Sequence, residues 1–262
     1  MIRPAFYFEI ASRNSADWLL ERDAYDSFNP RWFEILVEFP HLLSEFRADE
    51  IETLRNVLKG KDLSFHGATL NFSLLALNKA IVAETTRVLL DQIDLAKLLG
   101  CNMFTFHAGE YPYFYERVAP SLHEALAISV GKLVEYADSV GCQLCIENLK
   151  NKNSYPRTII ELENTFSVLP DIGFALDVRH ACVVGESPVE LARMFGSRLR
   201  SVHFRSDCGM STAQLEAFLQ TLHDVNFDGP FIIEDRSLNE LDKSARDMLY
   251  QARSMLASFL QF

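Results

Sequence analysis

Short apolar runs alternate with longer stretches of helical spacing along the whole chain, and six of those runs end on a residue able to bind a metal or move a proton. The six read Asp62–His66, Met103–His107, Gln143–Glu147, Gly173–Asp177, Arg200–His203 and Pro230–Glu234. Each is about five residues long, rich in aromatic and β-branched types and bounded by turn residues, as a buried strand should be. Two earlier runs, Ala5–Ile10 and Trp32–Val37, have the same character. Between the runs, stretches such as Ala80–Leu99 and Ser121–Val140 repeat apolar residues at helical spacing. Alternating strand and helix predicts parallel strands joined by helical crossovers. Eight such units fill 262 residues, which fits an α/β chain folded as one (β/α)8 TIM barrel over residues 1–262, a fold whose usual length is about 250 residues.

Side-chain parity gives the strands a direction. Successive residues of a strand point to opposite faces, so Ser64, Thr105, Cys145, Ala175 and Ser201 share a face with the terminal His, Glu and Asp residues. The other face carries Leu63, Phe65, Phe104, Phe106, Leu144, Ile146, Phe174, Leu176, Val202, Phe231 and Ile233. Small residues inside and bulky ones outside are what a closed barrel wrapped in helices requires. The terminal polar residues then converge on the C-terminal mouth, where catalysis occurs in this fold. By the same parity Glu9 and Glu38 are expected to point inward.

Glu147, Asp177, His203 and Glu234 supply three carboxylates and an imidazole, a mixed oxygen and nitrogen set suited to Zn²⁺, Mn²⁺, Mg²⁺ or Co²⁺. His66 and His107, on neighbouring strands, are placed to hold a second ion with Glu147 as the bridge, so one or two divalent ions are expected. His180, on the loop after Asp177, is expected to contact substrate. Arg179 and Arg205, just past strand ends, suit phosphate or sugar oxygens, and Asn148 lies beside the site. Tyr111 opens an aromatic mouth loop, Tyr111-Pro112-Tyr113-Phe114-Tyr115, whose faces could stack on a sugar ring.

A composition of 48% hydrophobic residues is enough for one full core, and no linker or low-complexity stretch divides the chain. No run approaches the roughly 18 apolar residues of a membrane helix, and Met1-Ile2-Arg3-Pro4 leads straight into a strand without a signal-peptide core. Five cysteines, without framework spacing, suit a reducing compartment. A cytoplasmic protein without membrane attachment is therefore expected, and assembly into a homo-oligomer is compatible with it. Cys142 and Cys145 form a Cys-x-x-Cys within a strand, where they face opposite sides and read as packing residues. The formal net charge of −11 repels phosphate polyanions and argues against a broad nucleic-acid footprint.

The series Phe65-His66-Gly67, Phe106-His107-Ala108-Gly109, Ile146-Glu147-Asn148, Leu176-Asp177-Val178-Arg179-His180, Val202-His203 and Ile233-Glu234 resembles the xylose isomerase-like TIM-barrel superfamily, which includes endonuclease IV and the sugar-phosphate isomerases and epimerases. The resemblance to endonuclease IV implies a bridged pair of zinc sites, His66, His107 and Glu147 for one and Glu147, Asp177, His203 and Glu234 for the other. That family's third zinc uses a histidine-bearing loop after the seventh strand, and Phe204–Thr212 here is short and lacks histidine. The resemblance to the epimerases implies that Glu147 and Glu234 both bind metal and shuttle a proton, with His180 against substrate. Arg179 departs from the Gly that many relatives carry there. Together these point to a metal-dependent sugar or sugar-phosphate isomerase or epimerase acting on a small sugar-like molecule. The alternatives are an endonuclease IV-like phosphodiesterase and a non-catalytic sugar-binding protein.

Overall fold

In a computed structural model, which describes residues 3–9, 18–19, 22–23, 30–37, 46–112 and 122–234, eight parallel strands pair in chain order and close into a barrel. The strands are β1 (Arg3–Glu9), β2 (Trp32–Leu36), β3 (Asp62–His66), β4 (Met103–Phe106), β5 (Gln143–Glu147), β6 (Gly173–Asp177), β7 (Leu199–Phe204) and β8 (Pro230–Ile233). Closure comes from β1, which pairs with β2 on one side and β8 on the other, so no edge is left unpaired. The described helices are α1 (Ala48–Val57), α2 (Lys79–Leu99), α3 (Leu122–Ser139), α4 (Ile159–Val168), α5 (Val178–Val184), α6 (Pro188–Phe195) and α7 (Thr212–Asp224). None is long and apolar enough to cross a membrane.

The two faces of the strands bury two separate clusters. Phe65, Phe104, Phe106, Ile146, Phe174, Leu176, Val202 and Phe231 join helix residues such as Leu89, Ile93, Leu133, Leu162 and Phe218 in the layer between barrel and helices. Phe65 and Phe104, register neighbours on β3 and β4, stack with centroids 5.6 Å apart. Inside the barrel lie Ala5, Trp32, Met103, Cys145, Ala175 and Ile232, with Tyr7 packed against them. Cys142 falls in the outer cluster and Cys145 in the inner one, so the two thiols are on opposite faces. Burial pushes both thiols up, to about 11 for Cys142.

Local chemistry sets the helix ends. Asn78 accepts a hydrogen bond from the Ala80 N–H at the start of α2, and Gly100 closes that helix at φ 88°. Thr158 with Glu161 and Ser211 with Gln214 form reciprocal caps on α4 and α7. Ser187 caps α6 ahead of Pro188 at its first turn. His180 differs from expectation: it sits in the first turn of α5 rather than on a loop, because the Asp177 carboxylate accepts from its backbone N–H and starts a helix directly at the strand end.

Three mouth loops are tied together above β3, β4 and β5. Leu74 N–H donates to Ala108 O, Tyr111 N–H to Asn153 O and Tyr155 N–H to Gly109 O, and the Ser73 hydroxyl donates to Glu110 O. Gly109 makes this possible: its φ is 98°, and a Cβ there would lie 2.6 Å from the Ser73 Cα.

Candidate metal centre and mouth pocket

Parity and strand length bring the expected residues to one place. His66, Glu147 and Asp177 are the last residues of their strands, His107 and Glu234 follow theirs by one position, and His203 is the penultimate residue of β7. Glu147 is the hub. Its Oε2 lies 3.0 Å from His66 Nε2 and 3.0 Å from His107 Nε2, and its Oε1 lies 3.1 Å from His180 Nδ1. On the other side His203 Nδ1 is 3.5 Å from Glu147 Oε2 and 2.7 Å from Glu234 Oε1.

One donor atom each from Glu147, Asp177, His203 and Glu234 lies within 4.8 Å of the others, and His66, Glu147 and His203 meet the same condition. A divalent ion about 2.1 Å from each ligand spans about 4 Å between opposite donors. Two donors are also left over by the protein's own bonding: Asp177 Oδ2 and His203 Nδ1 are buried without an aligned hydrogen bond among the described residues. Asp177 Oδ1 is occupied by the His180 N–H at 2.6 Å, which turns Oδ2 toward the centre. Donor chemistry, spacing and these orphaned atoms all fit a divalent ion. His107 approaches Glu147 but does not join the His66, Glu147 and His203 group, so the second triad differs by one member from the His66, His107 and Glu147 set expected.

The charges are set by mutual contact. Burial opposes ionisation of Glu147, but His107 and His203 hold its carboxyl well below the usual range. Burial likewise opposes a charge on Glu234, and His203 lowers it. Burial, joined by repulsion from Glu234 and Glu147, prevails over attraction to His180 and pushes Asp177 up to about 7. For His66 burial works against protonation, yet the Glu147 hydrogen bond and charge, with Glu34 adding, raise it to about 9. Burial lowers His107 despite Glu147.

Several expected substrate contacts are engaged elsewhere. Asn148 is fully buried and clamps the end of β6, its amide donating to Asp177 O at 2.9 Å and accepting from the Asp177 N–H at 2.8 Å. It therefore positions Asp177 rather than facing the pocket, and a sequence cannot distinguish an amide reading backbone from one reading sugar. Arg179 and Arg205 both turn to Asp207, at 3.0 and 3.1 Å, forming a cationic cluster at the rim. Tyr111 packs against the outer core instead of the pocket. Glu38 and the side chain of Glu9 lie outside the described residues.

Two residues unnamed by the sequence reading belong to the site. Tyr7 lies on the inner face of β1, its ring 5.8 Å from that of His66 and 5.9 Å from that of His203, and its hydroxyl hydrogen-bonds Glu234. Glu34 is fully buried within the barrel, its Oε2 3.0 Å from His203 Nε2. Parity that aims Glu38 inward aims Glu34 inward as well, four residues earlier, so the signal was present.

Outward from Glu147 a cavity of about 560 Å³ opens between the tied loops, lined by His107, His180, Asn71, Ser73, Lys150 and Asn151 among others. Pockets of this size hold small ligands. His180 Nδ1 donates to Asn148 O at 2.9 Å, which leaves Nε2 of a neutral ring to accept from a ligand hydroxyl.

The family model described as "Xylose isomerase-like TIM barrel" matches residues 27–255, and the chain belongs to that family. No curated protein sequence matches it. Among solved structures it is similar to a D-tagatose 3-epimerase-like protein, with TM-score 0.79 and 18% identity over 97% of this chain and 99% of that one. It is also similar to a D-allulose 3-epimerase from Methylomonas sp. in complex with D-allulose, with TM-score 0.76 and 17% identity over 99% and 97%. An L-ribulose 3-epimerase aligns with TM-score 0.75 and 16% identity over 99% and 93%. At these identities the likeness is one of fold.

Proposed function

We propose that this protein is a divalent-metal-dependent epimerase or isomerase of a small ketose or related sugar, with Glu147, Asp177, His203 and Glu234 as the metal ligands. The observation that supports it most is the pairing of Glu147 and Glu234 around His203, both carboxyls held below the usual range, next to a sugar-sized pocket whose lining residues His107 and His180 both contact Glu147. A bound ion would supply positive charge beside the sugar's carbonyl and hydroxyl oxygens. Glu147 and Glu234, ionised and close to one another, would remove a carbon-bound proton and return it from the other side. His180 orients a hydroxyl through Nε2, and the Tyr7 hydroxyl holds Glu234. The epimerase names of the similar structures agree with this reading.

The reaction run in deuterated water on metal-loaded protein with a panel of ketoses is expected to place deuterium on the carbon next to the carbonyl. Glu234→Gln is expected to suppress exchange at least about 100-fold, the scale of a general acid–base contribution. A metal-loaded sample showing no exchange across sugars and sugar phosphates would remove this function. The approach of His66 and His107 to Glu147 favours a second reading, two-ion phosphodiester hydrolysis.

A further inference from the structure

Glu34 is a carboxylate with no exposure, set among the small and apolar residues that fill the barrel. Burying an ionised carboxylate is costly unless it is paired and hydrogen-bonded. Its Oε1 accepts from the Ser64 hydroxyl at 3.2 Å and the Thr105 hydroxyl at 3.3 Å. Ser64 in turn accepts from the Trp32 indole N–H at 3.0 Å. Because an indole can only donate, the Ser64 proton is committed to Glu34, and the chain of bonds runs in one direction. β2, β3 and β4 thus fix one oxygen of the carboxylate.

The other oxygen faces His203. Glu34 Oε2 lies 3.0 Å from His203 Nε2, within reach of its N–H though off the line of a regular hydrogen bond, and has no other partner among the described residues. The opposite edge of the same ring turns Nδ1 toward Glu234 Oε1 and Glu147 Oε2. The ring therefore stands between a buried carboxylate below and the ligand cluster above.

We propose that Glu34 is a positioning residue that fixes His203 as the Nε2–H tautomer, so that the Nδ1 lone pair is presented to the ion held with Glu147, Asp177 and Glu234. This rests on the metal-centre reading above. In the other tautomer a lone pair would face the negative oxygen of Glu34, and an N–H would face the cation; both contacts are unfavourable. A carboxylate behind a metal-bound imidazole also raises its basicity, and losing such a partner typically lowers metal affinity about 10–100-fold.

The test uses the full chain. In the Zn²⁺-loaded wild type, long-range ¹⁵N–¹H NMR of the His203 ring is expected to show the proton on Nε2. Glu34→Gln is close in shape and keeps an oxygen to accept from Ser64 and Thr105. It is expected to weaken Mn²⁺ binding at least about 10-fold in competition with a chromophoric chelator, and Glu34→Asp, which keeps the charge, should recover part of that loss. A His203 proton on Nδ1, or Mn²⁺ affinity in Glu34→Gln equal to wild type, overturns the assignment of Glu34 while leaving the metal centre intact. If the Gln variant does not fold, the wild-type tautomer decides alone. Wild type that binds neither Zn²⁺ nor Mn²⁺ overturns the metal-centre reading itself, and this one with it.

Discussion

His66 has an oxygen acceptor against each ring nitrogen, Gly67 O at 2.8 Å from Nδ1 and Glu147 Oε2 at 3.0 Å from Nε2. A neutral imidazole has one proton and can satisfy only one of them. Either the ring is doubly protonated or a cation replaces the second proton, and the shift of His66 to about 9 expresses the first choice. A histidine whose folded pKa is raised above its ordinary 6.5 adds stability that is complete below that value and disappears as pH rises through about 9. Chelator-treated protein is therefore expected to lose melting temperature between pH 6.5 and 8.5. Added Mn²⁺ should restore it, by a larger increment at pH 8.5 than at 6.5, because fewer protons then sit on Asp177, pushed up to about 7, and on the His66 ring beside Glu147. Differential scanning calorimetry at the two pH values checks this, and a flat profile would contradict the raised His66. At this scale the sequence announced the strand-end residues, since position in a strand fixes where a side chain goes. It did not separate Asn148 from a sugar contact, because what an amide touches depends on distances no spacing encodes. Glu34 did not stand out because it lies mid-strand rather than at a strand end, and its role depends on partners from other strands, Ser64, Thr105 and His203.

The strands were legible to within a residue or two: apolar runs bounded by turn residues match β3, β5 and β6 end for end, while α2 begins one residue before its periodic stretch and ends with it, and α3 begins and finishes one residue inside its own. The seven residues of α5 were not, being too few for a helical period to show; a side-chain cap from Asp177 starts that helix. Loop conformation was least legible, because three of the ties among the mouth loops are backbone hydrogen bonds that any residues could make, with the Ser73 hydroxyl adding a side-chain tie. Gly109 is the exception. Gly109→Ala would force an L side chain to φ 98° and bring its Cβ against Ser73. It is expected to cost at least about 1 kcal/mol from backbone strain, and to raise KM more than it lowers kcat if the pocket between the loops holds the substrate. Chemical denaturation and steady-state kinetics give both readings. An unchanged KM would detach the tied loops from substrate binding.

The whole molecule carries a formal net charge of −11, and the basic groups described at the mouth are Arg179 and Arg205 sharing Asp207, with Lys150 in the pocket. Duplex DNA is bound by a row of cations that displace its counterions, so a surface that meets few phosphates gains little affinity from them. Weak binding to an abasic-site duplex at physiological salt, and poor nicking, are expected in gel-shift and cleavage assays. Efficient, chelator-sensitive nicking would instead favour the two-ion hydrolytic reading. The barrel and its closure followed from counting eight units, because parallel strands with helical crossovers have few ways to hide both faces.

That closure also bears on assembly. The proposed ligands enter from β5, β6 and β7 and from the residue after β8, so the last of them, Glu234, arrives only when β8 docks between β7 and β1. A chain still missing that strand would hold three ligands of four and grip an ion poorly. An ion held there would act as a late fastener across nearly ninety residues of sequence: it would reward the completed ring over every partly folded state, and its uptake during refolding would time the moment the ring shuts.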